Sequence, residues 1–313
     1  MTAKIIDGRE VAAKIRAECR ERVERLKEEF GVTPGLAVLV IGDNPASAVY
    51  VRNKVRACAD VGIRSTKLQF PHDVDPDVVI RAITELNADP GIHGILVQLP
   101  LPPHFAPSKV LRTISVDKDV DGFHLYNVGG LVVGDTVFPP CTPYGVLHLL
   151  DHEGILLEGK NVVVVGASNI VGKPMALMLM HRDATVCICH AKTRDLAQFT
   201  ILADILVVAA GHRDLIRPEM VKTGAVVIDV GINRLENGKL VGDVDFEGVR
   251  RKASYITPVP GGVGPMTVTM LLVNTIASAE RIARGGKVAP PATDAEARPL
   301  EYSDGSGGQS DRA

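Results

Sequence analysis

The chain has 313 residues, 46% hydrophobic and 23% charged, with a formal net charge of −2. That length suits two domains with buried cores, while the near-neutral charge, 4% aromatics and lack of Trp exclude a basic, base-stacking nucleic-acid surface. With no apolar leader, no membrane-length run and five cysteines free of CxxC spacing, a cytoplasmic protein with reduced thiols and no membrane partner is expected.

Val11, Ile15, Cys19, Val23, Leu26 and Phe30 recur at helical spacing among Arg and Glu, which predicts an amphipathic helix over 8–30, stopped by Gly31. Residues 36–41 are a continuous apolar run, as a buried parallel strand requires. Asn44-Pro45 turns the chain into a helix over 47–61. A strand over 66–70, a helix over 76–88 and a strand over 94–98 follow, so βα units around a parallel sheet are expected. Residues 115–140 are rich in Gly and Asp, lack periodicity and mark a domain boundary. Thr142-Pro143 then reads as the cap and first residue of a helix to about 153. The alternation restarts with a strand over 161–165, a turn over 166–172, a helix over 173–181 and strands over 185–189, 205–209 and 225–229. This is the rhythm of a doubly wound dinucleotide fold. Thr267 is expected to cap a last helix to 284 that returns to the first domain. Few large apolar residues follow, so a disordered tail over 285–313 is expected.

The turn Gly166-Ala167-Ser168-Asn169-Ile170-Val171-Gly172 lies between an apolar strand and a helix. Glycines let the backbone approach a diphosphate, and a helix N-terminus favours its charge. Ser168 stands where the usual fingerprint has its second glycine, and a plain tight turn is the alternative. An NAD site carries an acid at the end of the next strand. Here that strand ends Cys189-His190-Ala191-Lys192-Thr193-Arg194, with no acid and two cations suited to the 2′-phosphate of NADP. The alternative is a solvated basic loop.

In the first half, Tyr50 and Lys54 share a helix face, offering a phenol for stacking and an amine for proton transfer. Gln98 ends an apolar strand, where open α/β sheets bind ligands. Asp117-Lys118-Asp119-Val120-Asp121-Gly122 places three carboxylates before the irregular segment; a local turn explains them equally well. Pro260-Gly261-Gly262-Val263-Gly264-Pro265 is too rich in Gly and Pro for a helix or central strand, and its backbone suits close approach to a flat ligand or a simple interdomain connection. The nine histidines form no H-E-x-x-H pattern, so no metal is expected.

Together these segments resemble the bifunctional methylenetetrahydrofolate dehydrogenase/methenyltetrahydrofolate cyclohydrolase family. The matching motifs are Tyr50-Val-Arg-Asn-Lys54, Val97-Gln98-Leu99-Pro100, Asp117-Lys-Asp-Val-Asp121-Gly122, Cys141-Thr-Pro143, the 166–174 turn, Val230-Gly-Ile-Asn233 and the 257–267 stretch. The resemblance implies an α/β fold with two domains flanking a cleft, the second a doubly wound Rossmann-like parallel sheet. Residues 1–140 would form the folate-binding catalytic domain, completed by the helix 267–284, and residues 141–266 the NADP-binding domain. It implies NADP-dependent oxidation of 5,10-methylenetetrahydrofolate, hydrolysis of the methenyl product to 10-formyltetrahydrofolate, and a homodimer.

The resemblance also implies residue roles. Lys54 is the catalytic amine, Tyr50 stacks on the aminobenzoyl ring, Gln98 hydrogen-bonds Lys54 and Asp121 holds the pterin. Val51, Leu99 and Pro100 stand beside them, and Pro260, Gly261, Gly262, Val263 and Gly264 line the folate cleft. Gly166, Ala167, Ser168, Ile170, Val171 and Gly172 contact the dinucleotide, with His190, Ala191, Lys192, Thr193 and Arg194 near its ribose and Ile232 beyond. Some relatives carry Arg at the position of Ala167, and Ser or Arg at that of Ala191; Lys192 and Arg194 would replace their grip on the 2′-phosphate. The rival readings are a dehydrogenase-only relative, a two-domain dehydrogenase of the shikimate type, and a non-catalytic NADP- or folate-binding regulator.

Overall fold

The computed structural model describes residues 2–286, with Pro45–Ser47 as backbone alone. Strand β1 (Lys4–Ile5) leads into helix α1 (Gly8–Phe30). Asp7 starts that helix by accepting the Arg9 N–H at 2.8 Å, and Gly31, at φ 65°, ends it. Strands β2 (Gly35–Ile41), β3 (Arg64–Phe70) and β4 (Gly94–Val97) form a parallel sheet in the order β3-β2-β4. Every residue of β2 is buried, as its unbroken apolar run requires. Helices α2 (Pro45–Val61) and α3 (Pro76–Ala88) connect these strands. Helix α2 begins earlier than predicted because a first turn tolerates Pro45, whose missing N–H has no partner there. Buried Lys118 closes α3 from outside: its Nζ donates to the carbonyls of Leu86, Asn87 and Asp89 at 3.0, 2.8 and 2.7 Å.

The segment expected to be irregular contains a helix. After α4 (Pro107–Thr113) and one turn of 3-10 helix (Val116–Lys118) comes α5 (Leu125–Val133), where His124 Nδ1 accepts the Tyr126 N–H. Gly129 and Gly130 concealed it, since glycine lowers helix propensity. Gly130 is there for space: a Cβ would press on the Asp135 carbonyl. Helix α6 (Cys141–His152) starts from Pro140 without a side-chain cap. Thr142 is therefore inside the helix rather than its cap, and its Oγ1 lies 2.9 Å from Thr267 Oγ1.

The second sheet contains β5 (Asn161–Val165), β6 (Thr185–Cys189), β7 (Ile205–Val208) and β8 (Val226–Asp229), with α7 (Gly172–Met180) and α8 (Leu196–Thr200) between strands. A small hairpin, β9 (Asn233–Arg234) with β10 (Leu240–Val241), precedes α9 (Phe246–Arg250) and β11 (Tyr255–Ile256). The sheet order is β1-β11-β8-β7-β5-β6, all parallel. Lys4–Ile5, grouped with the first domain by its place in the chain, thus extends the second sheet. Val162, Val163, Val164 and Val165 of β5 are buried, each contributing about 1.5–3 kcal/mol.

Helix α10 (Val263–Ala283) starts at Val263, just after Gly262, and not at Thr267. Val263-Gly264-Pro265 forms its first turn, where proline costs no hydrogen bond, so this stretch is not wholly a loop. The helix packs on α1, α2 and α6. Asn274 Nδ2 donates to the carbonyls of Val120 and Pro139 at 2.9 and 3.0 Å, and Ser278 Oγ lies within 2.7 Å of those of His93 and Asp117. The expected tail lies, from residue 287 on, outside the described residues.

Candidate active site

In the order β3-β2-β4 the chain's winding reverses between β2 and β4, and open α/β sheets bind ligands outside such a reversal. Gln98 follows β4 at that point, and α2, which follows β2, carries half-buried Lys54. Lys54 Nζ donates to Gln98 Oε1 at 3.1 Å, while Gln98 Nε2 donates to the Leu99 carbonyl at 2.8 Å. The second bond orients the amide so that its oxygen faces the amine. Burial pushes the Asp121 carboxyl up, while the Lys54 ammonium and a hydrogen bond with Cys141 pull it down. The Cys141 thiol is raised well above its usual range, chiefly by burial, so it is not a thiolate nucleophile. Asp119 serves structure instead: it accepts the N–H groups of Phe123 and His124 and the Asn127 amide. Burial raises its carboxyl to about 7 despite those bonds.

A cavity of about 640 Å³ takes walls from both halves of the chain. Tyr50 enters from α2, Asp229 and Ile232 from the end of β8, and Pro260, Gly261, Gly262, Val263 and Gly264 from the entry to α10. Burial raises the Tyr50 phenol and Arg234, across the cavity, lowers it. A Cβ at Gly8 would overlap the Gly262 carbonyl, so the start of α1 and this wall meet backbone to backbone. Lys54, Gln98, Leu99, Pro100 and Asp121 do not line this cavity; Lys54 lies one helical turn along α2 from Tyr50. Val51 is only 2% exposed and packs in the core, so the structure places it on neither wall.

Four arginines on the cavity wall, Arg9, Arg16, Arg56 and Arg234, are missing from the sequence reading. They come from α1, α2 and β9, so no spacing unites them. Arg16 Nε donates to Thr269 Oγ1 at 3.0 Å, whereas Arg9, Arg56 and Arg234 form no ion pair among the described residues. Asp229 was also missed as a site residue; burial raises its carboxyl to about 7.

The second sheet's winding reverses between β5 and β7. Gly166 follows β5 at φ 122°, and a Cβ there would overlap the Ala209 carbonyl beyond β7. A Cβ at Gly172 would overlap the Gly166 carbonyl, so both glycines are required by close backbone approach. Ser168, at the place of the absent second glycine, tightens the turn: its Oγ accepts the Val171 and Gly172 N–H groups at 3.1 and 3.4 Å. Ala167 and Val171 are partly exposed and Ile170 is exposed around this turn. After β6, Thr193 Oγ1 accepts the His190 N–H and His190 Nδ1 accepts the Lys192 N–H, folding 190–193 into a turn. Ala191, Lys192 and Arg194 are exposed on it, and neither cation forms an ion pair among the described residues. Two exposed cations beside a glycine turn at a strand switch fit a phosphorylated dinucleotide, while the first N–H groups of α7 are taken within the turn, Gly172 by Ser168 Oγ and Lys173 by the Ser168 carbonyl. Among the described residues no cluster of His, Cys, Asp and Glu is arranged to hold a metal ion, and no helix is long and apolar enough to cross a membrane.

Residues 6–121 match the catalytic domain of the tetrahydrofolate dehydrogenase/cyclohydrolase family, and residues 140–283 match its NAD(P)-binding domain. The bifunctional protein FolD of Nitrosospira multiformis is 62% identical over 281 residues, covering 90% of this chain and 97% of that protein. Among solved structures, the bifunctional enzyme FolD of Campylobacter jejuni, a methylenetetrahydrofolate dehydrogenase/cyclohydrolase, is 52% identical with a TM-score of 0.88, covering 90% of this chain and 99% of that one. The FolD of Trypanosoma brucei, solved with NADP and an inhibitor, is 41% identical with a TM-score of 0.88, covering 91% and 99%.

Proposed function

The chain belongs to the tetrahydrofolate dehydrogenase/cyclohydrolase family, and from that premise we propose how its residues serve both reactions. It oxidises 5,10-methylenetetrahydrofolate and hydrolyses the resulting methenyl group to 10-formyltetrahydrofolate. The methylene carbon lies between two nitrogens, so losing hydride leaves a delocalised cation. NADP, when bound, supplies the acceptor for that hydride. The protein's task in this step is to hold the carbon in line. Tyr50 stacks on the aminobenzoyl ring. Asp121 presents two oxygens to the adjacent N–H donors of the pterin. The wall of Arg9, Arg16, Arg56 and Arg234 faces the anionic glutamate end of the substrate.

Hydrolysis needs more than alignment, since water attacking the methenyl carbon must lose a proton. Lys54 Nζ, in its neutral amine form, is the group placed to take it, with Gln98 Oε1 holding the amine at 3.1 Å. That bond, at the strand reversal beside Asp121 and one turn from Tyr50, is the observation that carries the reading. The glycine turn at Gly166, Ala167 and Ser168 holds the diphosphate, and Lys192 and Arg194 take the 2′-phosphate. The test is an absorbance assay on purified protein. Methenyltetrahydrofolate should form from the methylene compound with NADP and then decay to the formyl product. Formation without catalysed decay would remove the hydrolase half of the reading.

The working unit in this reading is a homodimer. Strand β6 is the edge of the six-stranded sheet, with Ile188 41% exposed and Phe199, Ile201 and Leu202 exposed nearby in the chain. An unpaired apolar edge favours pairing with a second copy. Light scattering should give twice the 33.4 kDa chain mass, and a single-chain mass would end the idea.

A further inference from the structure

Asp229 and Asp243 take no part in the mechanism above, yet both are buried, at 3% and 0% exposure, where β7 and β8 end. Asp243 Oδ2 accepts the N–H groups of Ala210 and Gly211, both at 2.8 Å, and its Oδ1 accepts Asn233 Nδ2 at 2.8 Å. Asp229 Oδ1 accepts the N–H groups of Gly231 and Asp243 at 2.9 and 3.0 Å, and its Oδ2 accepts that of Val244 at 3.0 Å. Neither carboxylate forms an ion pair among the described residues. Two glycines make room for them: a Cβ at Gly231 would overlap the Asp243 carboxylate, and one at Gly242 the Asp229 carboxylate.

The braced segments are those the two reactants share. The turn at 209–211 carries the carbonyl against which Gly166 of the dinucleotide turn packs. The segment 229–234 supplies Asp229, Gly231, Ile232 and Arg234 to the large cavity. One pair of carboxylates thus ties the end of the strand beside the nucleotide turn to the wall of the folate cavity. Every oxygen of the pair accepts at least one N–H group, so neither segment can shift without breaking a bond to it.

We infer that Asp243, seated on Asp229, is a positioning residue for hydride transfer, fixing the segments after β7 and β8 so that the nicotinamide end of the cofactor meets the folate carbon. This rests on the dehydrogenase reading above. Hydride transfer depends on the relation between two bound molecules, and a misplacement of about 1 Å costs on the order of 100-fold. Hydrolysis of the methenyl compound needs no alignment with a second molecule, so its kcat is insensitive to the brace, and any loosening of the wall that carries Arg234 shows in the folate KM instead.

The experiment compares the full chain with its Asp243→Asn and Asn233→Ala variants. Asn at 243 keeps one oxygen acceptor in place of two, so its NH2 must face either the Ala210 and Gly211 N–H groups or Asn233 Nδ2, all of them donors; Ala at 233 removes the bonds of Asn233 Nδ2 to Asp243 and to the Gly242 carbonyl and leaves the backbone N–H groups bonded to Asp243 in place. Dehydrogenase kcat and KM are measured with NADP, and hydrolysis of supplied methenyltetrahydrofolate is measured without nucleotide. Wild-type dehydrogenase activity is the control on the functional reading; its absence would refute that reading and the inference together. Asp243→Asn should lower dehydrogenase kcat by about 100-fold and Asn233→Ala by about ten-fold, with hydrolysis kcat held within about three-fold in both. Three results would overturn the inference: both activities falling in parallel with the melting temperature, a rise in the KM for NADP alone, or unchanged dehydrogenase kcat. If Asp243→Asn does not fold, Asn233→Ala decides between these outcomes.

Discussion

Lys54→Met is expected to separate the two reactions, slowing hydrolysis of methenyltetrahydrofolate far more than its formation. Hydride leaves the methylene carbon without any group having to accept a proton from that carbon. Attacking water cannot add without giving up a proton, and Lys54 Nζ, held by Gln98 Oε1 at 3.1 Å, is the placed acceptor. Methionine keeps much of the aliphatic stem and loses both the proton transfer and the bond to Gln98. General acid–base groups contribute about 100- to 10,000-fold, and cyclohydrolase kcat should fall by that order. The substitution has a second consequence at Asp121. Burial raises that carboxyl and the Lys54 ammonium counteracts it, so in the variant Asp121 takes up a proton at higher pH than before. Folate KM should therefore rise modestly in both reactions, and the separation shows in kcat. Methenyltetrahydrofolate should accumulate when the methylene compound and NADP are supplied together. A variant with a native circular dichroism spectrum that hydrolyses at the wild-type rate would show that Lys54 is not the base.

The second large effect is expected at the end of β6. Wild type should prefer NADP to NAD, and a Lys192→Ala, Arg194→Ala double variant should lose most of that preference. The two cations stand exposed and without ion pairs among the described residues, on a turn made by His190 and Thr193. A hydrogen bond to a charged group is worth about 1.5–3 kcal/mol, equivalent to about ten- to a hundred-fold in binding. The kcat/KM with NADP should fall by that factor, and the value with NAD should barely change because NAD has no 2′-phosphate to lose. Raising the salt should narrow the wild-type gap between the cofactors, since exposed charges are screened. Equal losses with both cofactors, or a wild-type preference for NAD, would remove the phosphate assignment from these residues.

Much of the scaffold was legible along the chain because its signals are local. The apolar run before residue 41 predicts a buried strand, and all seven residues of β2 are buried. The 3.6-residue rhythm before Gly31 predicts a helix from about residue 8 to about residue 30, and α1 ends at the left-handed Gly31 as expected. Propensity misled where tertiary space outweighed it. Gly130 lies inside α5 to clear the Asp135 carbonyl, and Val263-Gly264-Pro265 is helical because a first turn needs no N–H from proline. Asp119 and Asp121 look alike two residues apart, yet one caps a backbone turn and the other lies in the field of Lys54.

The sequence by itself determined that this is an α/β protein with a glycine turn for a dinucleotide, an amine and a phenol one helical turn apart, and an amide at a strand end. These follow from residue types at fixed spacing, which is what local backbone geometry enforces. Only the tertiary structure decided that Gln98 Oε1 faces Lys54 Nζ, that β1 joins the second sheet, and that Val51 is core rather than wall. It alone gathers arginines from α1, α2 and β9 onto one cavity and seats Asp243 on Asp229 across fourteen residues of chain. Such contacts depend on how separate elements pack, and long-range packing leaves no period in the sequence from which it can be read.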